Sequence, residues 1–158
     1  MFYYDKGSTM NILKFPFINW LVLNGIAAYF LYIKGALIFN YSSWLGIIAI
    51  LVVLESFGWI GMSLVYFRRH KTSSNPMIQA STLITDGPFK FSRNPIYLAL
   101  TSMSIGFALF THSFYFLLAG FIFWLLTDLY TIPHEEKFLS GRFKEEWHRY
   151  SRQTRRWL

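Results

Sequence analysis

Residues 94–127 read NPIYLALTSMSIGFALFTHSFYFLLAGFIFWLLT, a run of 34 without one Asp, Glu, Lys or Arg. As one straight helix it would extend about 51 Å, far beyond the ~30 Å hydrocarbon core of a bilayer. Its middle holds Thr111-His112-Ser113, a polar break. The run therefore predicts a helical hairpin, with one arm near 95–110 and the other near 114–132. The first arm is short, so it is expected to tilt or to be partly shielded by protein. Two further apolar runs lie upstream. Residues 15–33 carry no charge and give one span. Residues 35–67 are interrupted only by Glu55 and give a second span near 45–67, after a short loop from Phe39 to Ser43.

Composition points the same way. Hydrophobic residues make up 54% of the 158, aromatics 21% and charged residues 15%. A soluble domain carries roughly 25% charged residues. The balance disfavours a soluble globule, a disordered chain and a fibrous repeat, and fits a polytopic membrane protein. The chain has no cysteine, which excludes disulfides, a thiol nucleophile and cysteine-ligated metal.

Charge placement sets the expected topology. Lys6 and Lys14 precede the first span, and Lys34 follows it. Arg68, Arg69, Lys71, Lys90 and Arg93 separate spans two and three, and seven basic residues follow span four. With four spans and both termini in the cytoplasm, 14 of the 15 basic residues lie inside and only Lys34 outside. Three spans would put the basic tail outside, against the positive-inside rule. The net charge of +7 thus belongs to span flanks, with no separate nucleic-acid-binding domain. Met1–Lys14 has no signal-peptide pattern, so the first span is expected to remain as an anchor. The predicted fold is all-α. A single membrane domain over 1–158 holds about four transmembrane helices, the last two a hairpin, with cytoplasmic segments at 68–94 and 133–158. In a bacterium the membrane would be the plasma membrane.

Punctuation in the polar segments is informative. Ser73-Ser74-Asn75-Pro76 and Asp86-Gly87-Pro88 read as loop and turn. Asn94-Pro95 offers an N-cap and a proline at the first helical position. Pro133 is expected to kink or end span four, leaving Glu135 and Glu136 in the first turn of a new helix punctuated by Gly141. Phe143, Trp147 and Tyr150 follow at i, i+4 and i+7, opposite Lys144, Glu145, His148, Arg149 and Arg152. That is an amphipathic cytoplasmic helix lying on the membrane or capping the bundle. Trp157 suits an interfacial anchor.

A hairpin makes neighbours of its two cytoplasmic ends. One supplies Arg93, Asn94 and Tyr97; the other supplies Asp128, His134, Glu135 and Glu136. A helix N-terminus beside an arginine suits a carboxylate or phosphate. Paired glutamates suit an ammonium group or ribose hydroxyls. S-adenosylmethionine carries an ammonium, a carboxylate and a ribose, so it matches the set. The plainer reading makes Arg93 an interface anchor and the glutamates ordinary first-turn acids. Glu55 stands mid-span, where a charge costs roughly 2.5–3.5 kcal/mol on insertion scales. It is expected to line a substrate cavity or to be a neutral acid bonded to a neighbouring helix, with Asn24 a candidate partner. The four histidines show no metal spacing, and no zinc-protease, Walker or dinucleotide-loop motif occurs.

The stretches LITDGPFKFSRNPIYLAL (83–100) and IPHEEKFLSGRFKEEWHRYSRQTRRWL (132–158) resemble the isoprenylcysteine carboxyl methyltransferase and phospholipid methyltransferase families. The shared order is Gly87-Pro88-Phe89, Arg93-Asn94-Pro95-Ile96-Tyr97, a hairpin, Glu135-Glu136, Phe143, Trp147, Tyr150 and Arg156-Trp157. The resemblance implies a membrane-embedded, S-adenosylmethionine-dependent methyltransferase. Its cofactor would lie between the last spans and the C-terminal segment, on Gly87, Phe89, Arg93, Asn94, Tyr97, Glu135, Glu136 and Tyr150. A lipophilic acceptor would enter from the bilayer, with Glu55 and Arg93 as candidate catalytic groups and no metal. The acceptor reading taken first is isoprenylcysteine-type carboxyl methylation, with phospholipid N-methylation as the alternative. Asn94 in place of the His of eukaryotic carboxyl methyltransferases, Lys144 in place of Gly and Trp147 in place of Tyr depart from the pattern. The rivals are an NADPH-dependent sterol-type reductase, which needs more spans, and a non-catalytic membrane adaptor.

Overall fold

The computed structural model describes residues 15–35, 44–72 and 81–158. Lys6 and Lys14, the Phe39–Ser43 loop and the Ser73–Pro76 loop lie outside the described residues. Among the described residues five α-helices follow one another: α1 (Pro16–Ile33), α2 (Trp44–Arg69), α3 (Pro95–Thr111), α4 (Phe114–Leu126) and α5 (Ile132–Gln153). No strand occurs among the described residues. Three helical stretches are long and apolar enough to cross a bilayer: Pro16–Ile33, Trp44–Arg69 and the continuous Phe114–Gln153. The fourth, α3, is apolar but has 17 residues, about 25 Å of rise.

The hairpin forms where the polar break predicts it. His112 closes α3 in the left-handed region (φ 50°), which a single non-glycine residue tolerates at a helix end. Ser113 caps α4 by accepting a hydrogen bond from the Tyr115 amide at 3.2 Å. The arms then run antiparallel, with Phe107 against Phe116 at one end and Leu100 in one cluster with Phe123 further along. Small residues set the spacing. A Cβ at Gly120 would lie 2.9 Å from the Ser104 Cβ, and one at Gly106 would lie 2.7 Å from Val53 of α2. Close backbone approach through small side chains is the usual way membrane helices gain packing. The α1 helix is tied on by polar bonds, since the Trp20 indole N–H donates to the Leu100 carbonyl (2.7 Å) and to Ser104 Oγ (2.9 Å).

Pro133 neither breaks nor kinks the helix, contrary to the expectation that it would kink or end span four. A π-helical turn over Thr127–Thr131 precedes it, and the chain passes from α4 into α5 without a break. Proline lacks an N–H and crowds the carbonyl four residues back. The wider π turn, closed by the Ile132 amide on the Thr127 carbonyl, makes room for that ring. The real kink is at Lys144 (φ 44°, ψ −112°), not at Pro133 or Gly141. Beyond it the helix turns back over the bundle. Trp147 and Tyr150 are buried with Ile84 and Phe89, and Phe143 packs alongside. The amphipathic helix therefore caps the bundle, the second of its two expected roles.

Candidate active site

The loop into α3 is held before any functional group is placed. Gly87 has φ +57°, and a Cβ there would run into the Tyr66 ring, so only glycine fits. Pro88 and Phe89 complete a short 3-10 turn over Gly87–Lys90. The Phe89 ring meets Phe67 edge-on at 5.3 Å, and its carbonyl accepts the Tyr150 hydroxyl proton at 2.6 Å. Gly87, Phe89 and Tyr150 thus form a platform of loop and cap.

Residues 154–158 form a strap across this platform. The Arg93 amide donates to the Arg155 carbonyl (3.0 Å), and Ser92 Oγ and Asn94 Nδ2 both donate to the Arg156 carbonyl (3.2 and 3.0 Å). Asn94 stands at the N-cap position of α3, but its side chain holds the strap instead of capping the helix. The first turn of α3 and the strap are therefore one unit.

Ionic groups converge beneath the strap. Arg93 reaches from the α3 end to Glu136 on α5, with Nη2 to Oε1 at 3.0 Å. Arg156 takes the same carboxylate from the other side, with Nη2 to Oε2 at 2.8 Å, and extends Nη1 to Asp128 at 3.1 Å. Asp128 also accepts the Trp157 indole N–H at 2.9 Å. The Arg93 guanidinium lies over Trp147, 5.5 Å from its ring centre. Next to this chain, the Tyr97 hydroxyl donates to Glu135 at 2.7 Å. Burial pushes the Glu135 carboxyl up to about 7; the Tyr97 bond opposes this and the neighbouring Glu136 charge adds to it. The Glu136 and Asp128 carboxylates hold the Arg156 guanidinium above its ordinary value.

Arg93, Asn94, Tyr97, Glu135 and Glu136 are brought together at one end of the bundle. Glu55 is not among them. It lies on α2, accepts the Trp59 indole N–H at 2.7 Å, and lines a separate cavity of about 230 Å³ between α2 and α3. Asn24 is not its partner: that amide donates to the Trp20 carbonyl of its own helix at 2.9 Å. Asp128, grouped by the sequence with the hairpin's cytoplasmic end, and Arg156, part of the family-like order, were not among the expected cofactor residues, although both belong to the ion cluster. Position near an interface concealed the first. The terminal Arg-Trp pair was the signal for the second.

The cluster has spare capacity for a ligand. Arg93 Nε is buried without a hydrogen-bond partner, an orphan donor within the ion cluster. Guanidinium donors facing paired acids suit a zwitterion that carries both a carboxylate and an ammonium.

These features define a multi-span membrane protein with a half-buried ionic cluster at one end of its helical hairpin. The phospholipid methyltransferase family model matches residues 30–146, about three quarters of the chain, and the chain belongs to that family. It is a membrane methyltransferase. The match takes in Arg93, Asp128, Glu135 and Glu136, while Tyr150 and the strap lie beyond it. No curated protein and no solved structure matches the chain.

Proposed function

We propose that the protein transfers a methyl group from S-adenosylmethionine to the amine of a membrane lipid, with the donor bound at the end of the hairpin facing the cytosol. The observation that carries this reading is the convergence of Arg93 and Arg156 on Glu136, beside Glu135 and Tyr97. Arg93 would hold the donor's carboxylate through its unpaired Nε face. Glu136 and Asp128 would take its ammonium, with Arg156 giving way, and Glu135 would hold ribose hydroxyls. When bound, the donor supplies an electrophilic methyl carbon on a sulfonium. The protein's part is to align it with the acceptor and exclude water. Asn94 and Ser92 contribute by pinning the strap that closes the site.

An isoprenylcysteine-type carboxylate acceptor is the second reading, favoured by the Arg-Asn-Pro-x-Tyr and Glu-Glu order. The lipid amine is preferred because the cavity between α2 and α3 carries the acid Glu55, which repels a carboxylate and attracts an ammonium.

The test is to incubate the purified protein with isotopically methyl-labelled donor and total membrane lipid, then analyse the lipids by mass spectrometry. Label on headgroup nitrogen is expected. Label in base-labile methyl esters would replace the amine with the carboxylate. Absence of both label and donor affinity would overturn the reading.

A further inference from the structure

The cavity between α2 and α3 is separate from the ionic cluster and carries one acid. Its walls are Ser56 and Trp59 of α2, Leu98, Ala99 and Ser102 of α3, and Leu158 at the end of the strap. Glu55 completes it. The register explains why the space exists. Gly106 lets α2 and α3 touch at Val53, and further along α2 the Trp59 ring meets Phe91, in the segment before α3, edge-on at 6.2 Å. Between these two contacts the helices leave room, and Glu55 stands at its edge, exposed on the side where lipid would lie.

A carboxyl group in this place has too few partners. Trp59 satisfies one oxygen, and no other partner occurs among the described residues. Ionisable residues at membrane depth normally face a partner or a pathway. The other walls are apolar or carry a serine hydroxyl. Ser56 is already bonded to the Val52 carbonyl at 2.8 Å, so it does not compete for the acid. What remains is an oriented carboxylate with a free oxygen, beside an indole ring, in a cavity that opens to lipid. That set is complementary to a cationic amine on an apolar tail.

Resting on the proposed methyl transfer, we infer that Glu55 is the residue that receives the acceptor's ammonium group and takes its proton, with Trp59 as its positioning residue. The step balances. The acceptor R–NH₃⁺ gives one proton to the Glu55 carboxylate and becomes R–NH₂. The nitrogen lone pair forms the new N–C bond while the methyl–sulfur bond breaks, its electron pair staying on sulfur. A sulfonium becomes a neutral thioether, the product is R–NH₂⁺–CH₃, and Glu55 is left protonated. The two sites adjoin through the strap: Trp157 is bonded to Asp128 beside the donor, and Leu158 lines the acceptor cavity.

The experiment uses the full chain in detergent–lipid micelles containing phosphatidylethanolamine. Methyl transfer is followed with labelled S-adenosylmethionine, and donor affinity is measured by calorimetry on the same preparations. Glu55→Gln is expected to lower kcat by about 100-fold, the usual scale for a lost proton acceptor, with donor affinity unchanged. Glu55→Asp should recover part of that loss. Trp59→Phe keeps the ring and loses the N–H, so it should lower kcat by roughly 5- to 10-fold at unchanged donor affinity. A Glu55→Gln rate within threefold of wild type would overturn the assignment. So would a loss of donor affinity in that variant, since Glu55 would then serve the fold or the donor. A wild-type protein that binds donor but methylates only carboxylates would sink this inference and leave the donor site standing. A wild-type protein that binds no donor would sink the proposed function itself.

Discussion

Two acids in this protein show opposite solutions to the same electrostatic problem. Glu136 sits at the end of the hairpin with both oxygens taken by guanidinium groups, from Arg93 and from Arg156. Glu55 sits halfway along α2 with a single indole N–H. A charge half-buried in protein or set at membrane depth is tolerated when paired and bonded, and is costly when not. Glu136 is therefore stabilised by its own protein, and a ligand must displace a partner to reach it. Glu55 has one indole N–H for its carboxyl. The comparison separates the proposed donor site, whose charges satisfy one another, from the proposed acceptor site, whose acid has a single protein partner.

The largest effect that can break this comparison is at the paired acid. Glu136→Gln keeps the shape but leaves two arginines facing an amide. Arg93→Ala removes a cation that ties the entry to α3 to Glu136 of α5. If these groups hold the donor, each variant loses charge-assisted bonds to it, and S-adenosylmethionine affinity should fall by roughly ten- to a hundredfold in titration calorimetry. Unchanged affinity in both variants would mean that Glu136 is a structural ion pair alone, and the contrast with Glu55 would vanish.

A smaller effect distinguishes the next acid along. Glu135 has its carboxyl raised to about 7 by burial, with Tyr97 pulling it down and Glu136 pushing it up. The sign follows from linkage. The folded protein holds this proton more tightly than the unfolded chain, whose ordinary value is 4.5. Stability from this group is thus full below about 4.5, falls as pH rises to about 7, and is level above that. The span of the loss is on the order of 3 kcal/mol, about 1.4 kcal/mol for each pH unit between the two values. Thermal unfolding in detergent should show the decline between those pH values, and Glu135→Gln should flatten it. A Glu135→Gln protein with the same pH dependence as wild type would place the titration elsewhere.

Much of this was legible in the sequence because a membrane makes patterns coarse. A charge-free run too long for one crossing, with Thr-His-Ser at its centre, leaves little besides a hairpin, and the hairpin makes neighbours of Arg93 and Glu136. Proline was the misleading signal. Pro133 looks like a terminator when only the α-helical register is considered, and the π turn that absorbs it depends on Thr127, whose hydroxyl bonds back to the Phe123 and Trp124 carbonyls at 2.9 Å each. The sequence carries no mark for Lys144 as the kink, since lysine has no preference for positive φ. The strap was invisible for a related reason. Its backbone contacts are made by Ser92, Arg93 and Asn94 across more than 60 positions of chain, and backbone acceptors carry no sequence signature. Asp128 was placed at the right end of the hairpin by sequence, but its partners, Arg156 and Trp157, could not be.

The smallest expected effect probes the platform that both sites share. The Tyr150 hydroxyl donates to the Phe89 carbonyl at 2.6 Å and joins the capping helix to the turn before α3. Tyr150→Phe removes one buried hydrogen bond and leaves that carbonyl without the donor, at a cost of about 1–2 kcal/mol. The ring would still fill its place against Trp147, so the fold should persist. If the hydroxyl only anchors the cap, thermal stability drops modestly and donor affinity changes by less than about threefold. If it contacts the donor, as its place in the family-like order suggests, affinity falls by tenfold or more while stability changes little. The two measurements on this one variant decide whether Tyr150 belongs with the self-satisfied scaffold around Glu136 or with the groups held ready for a ligand.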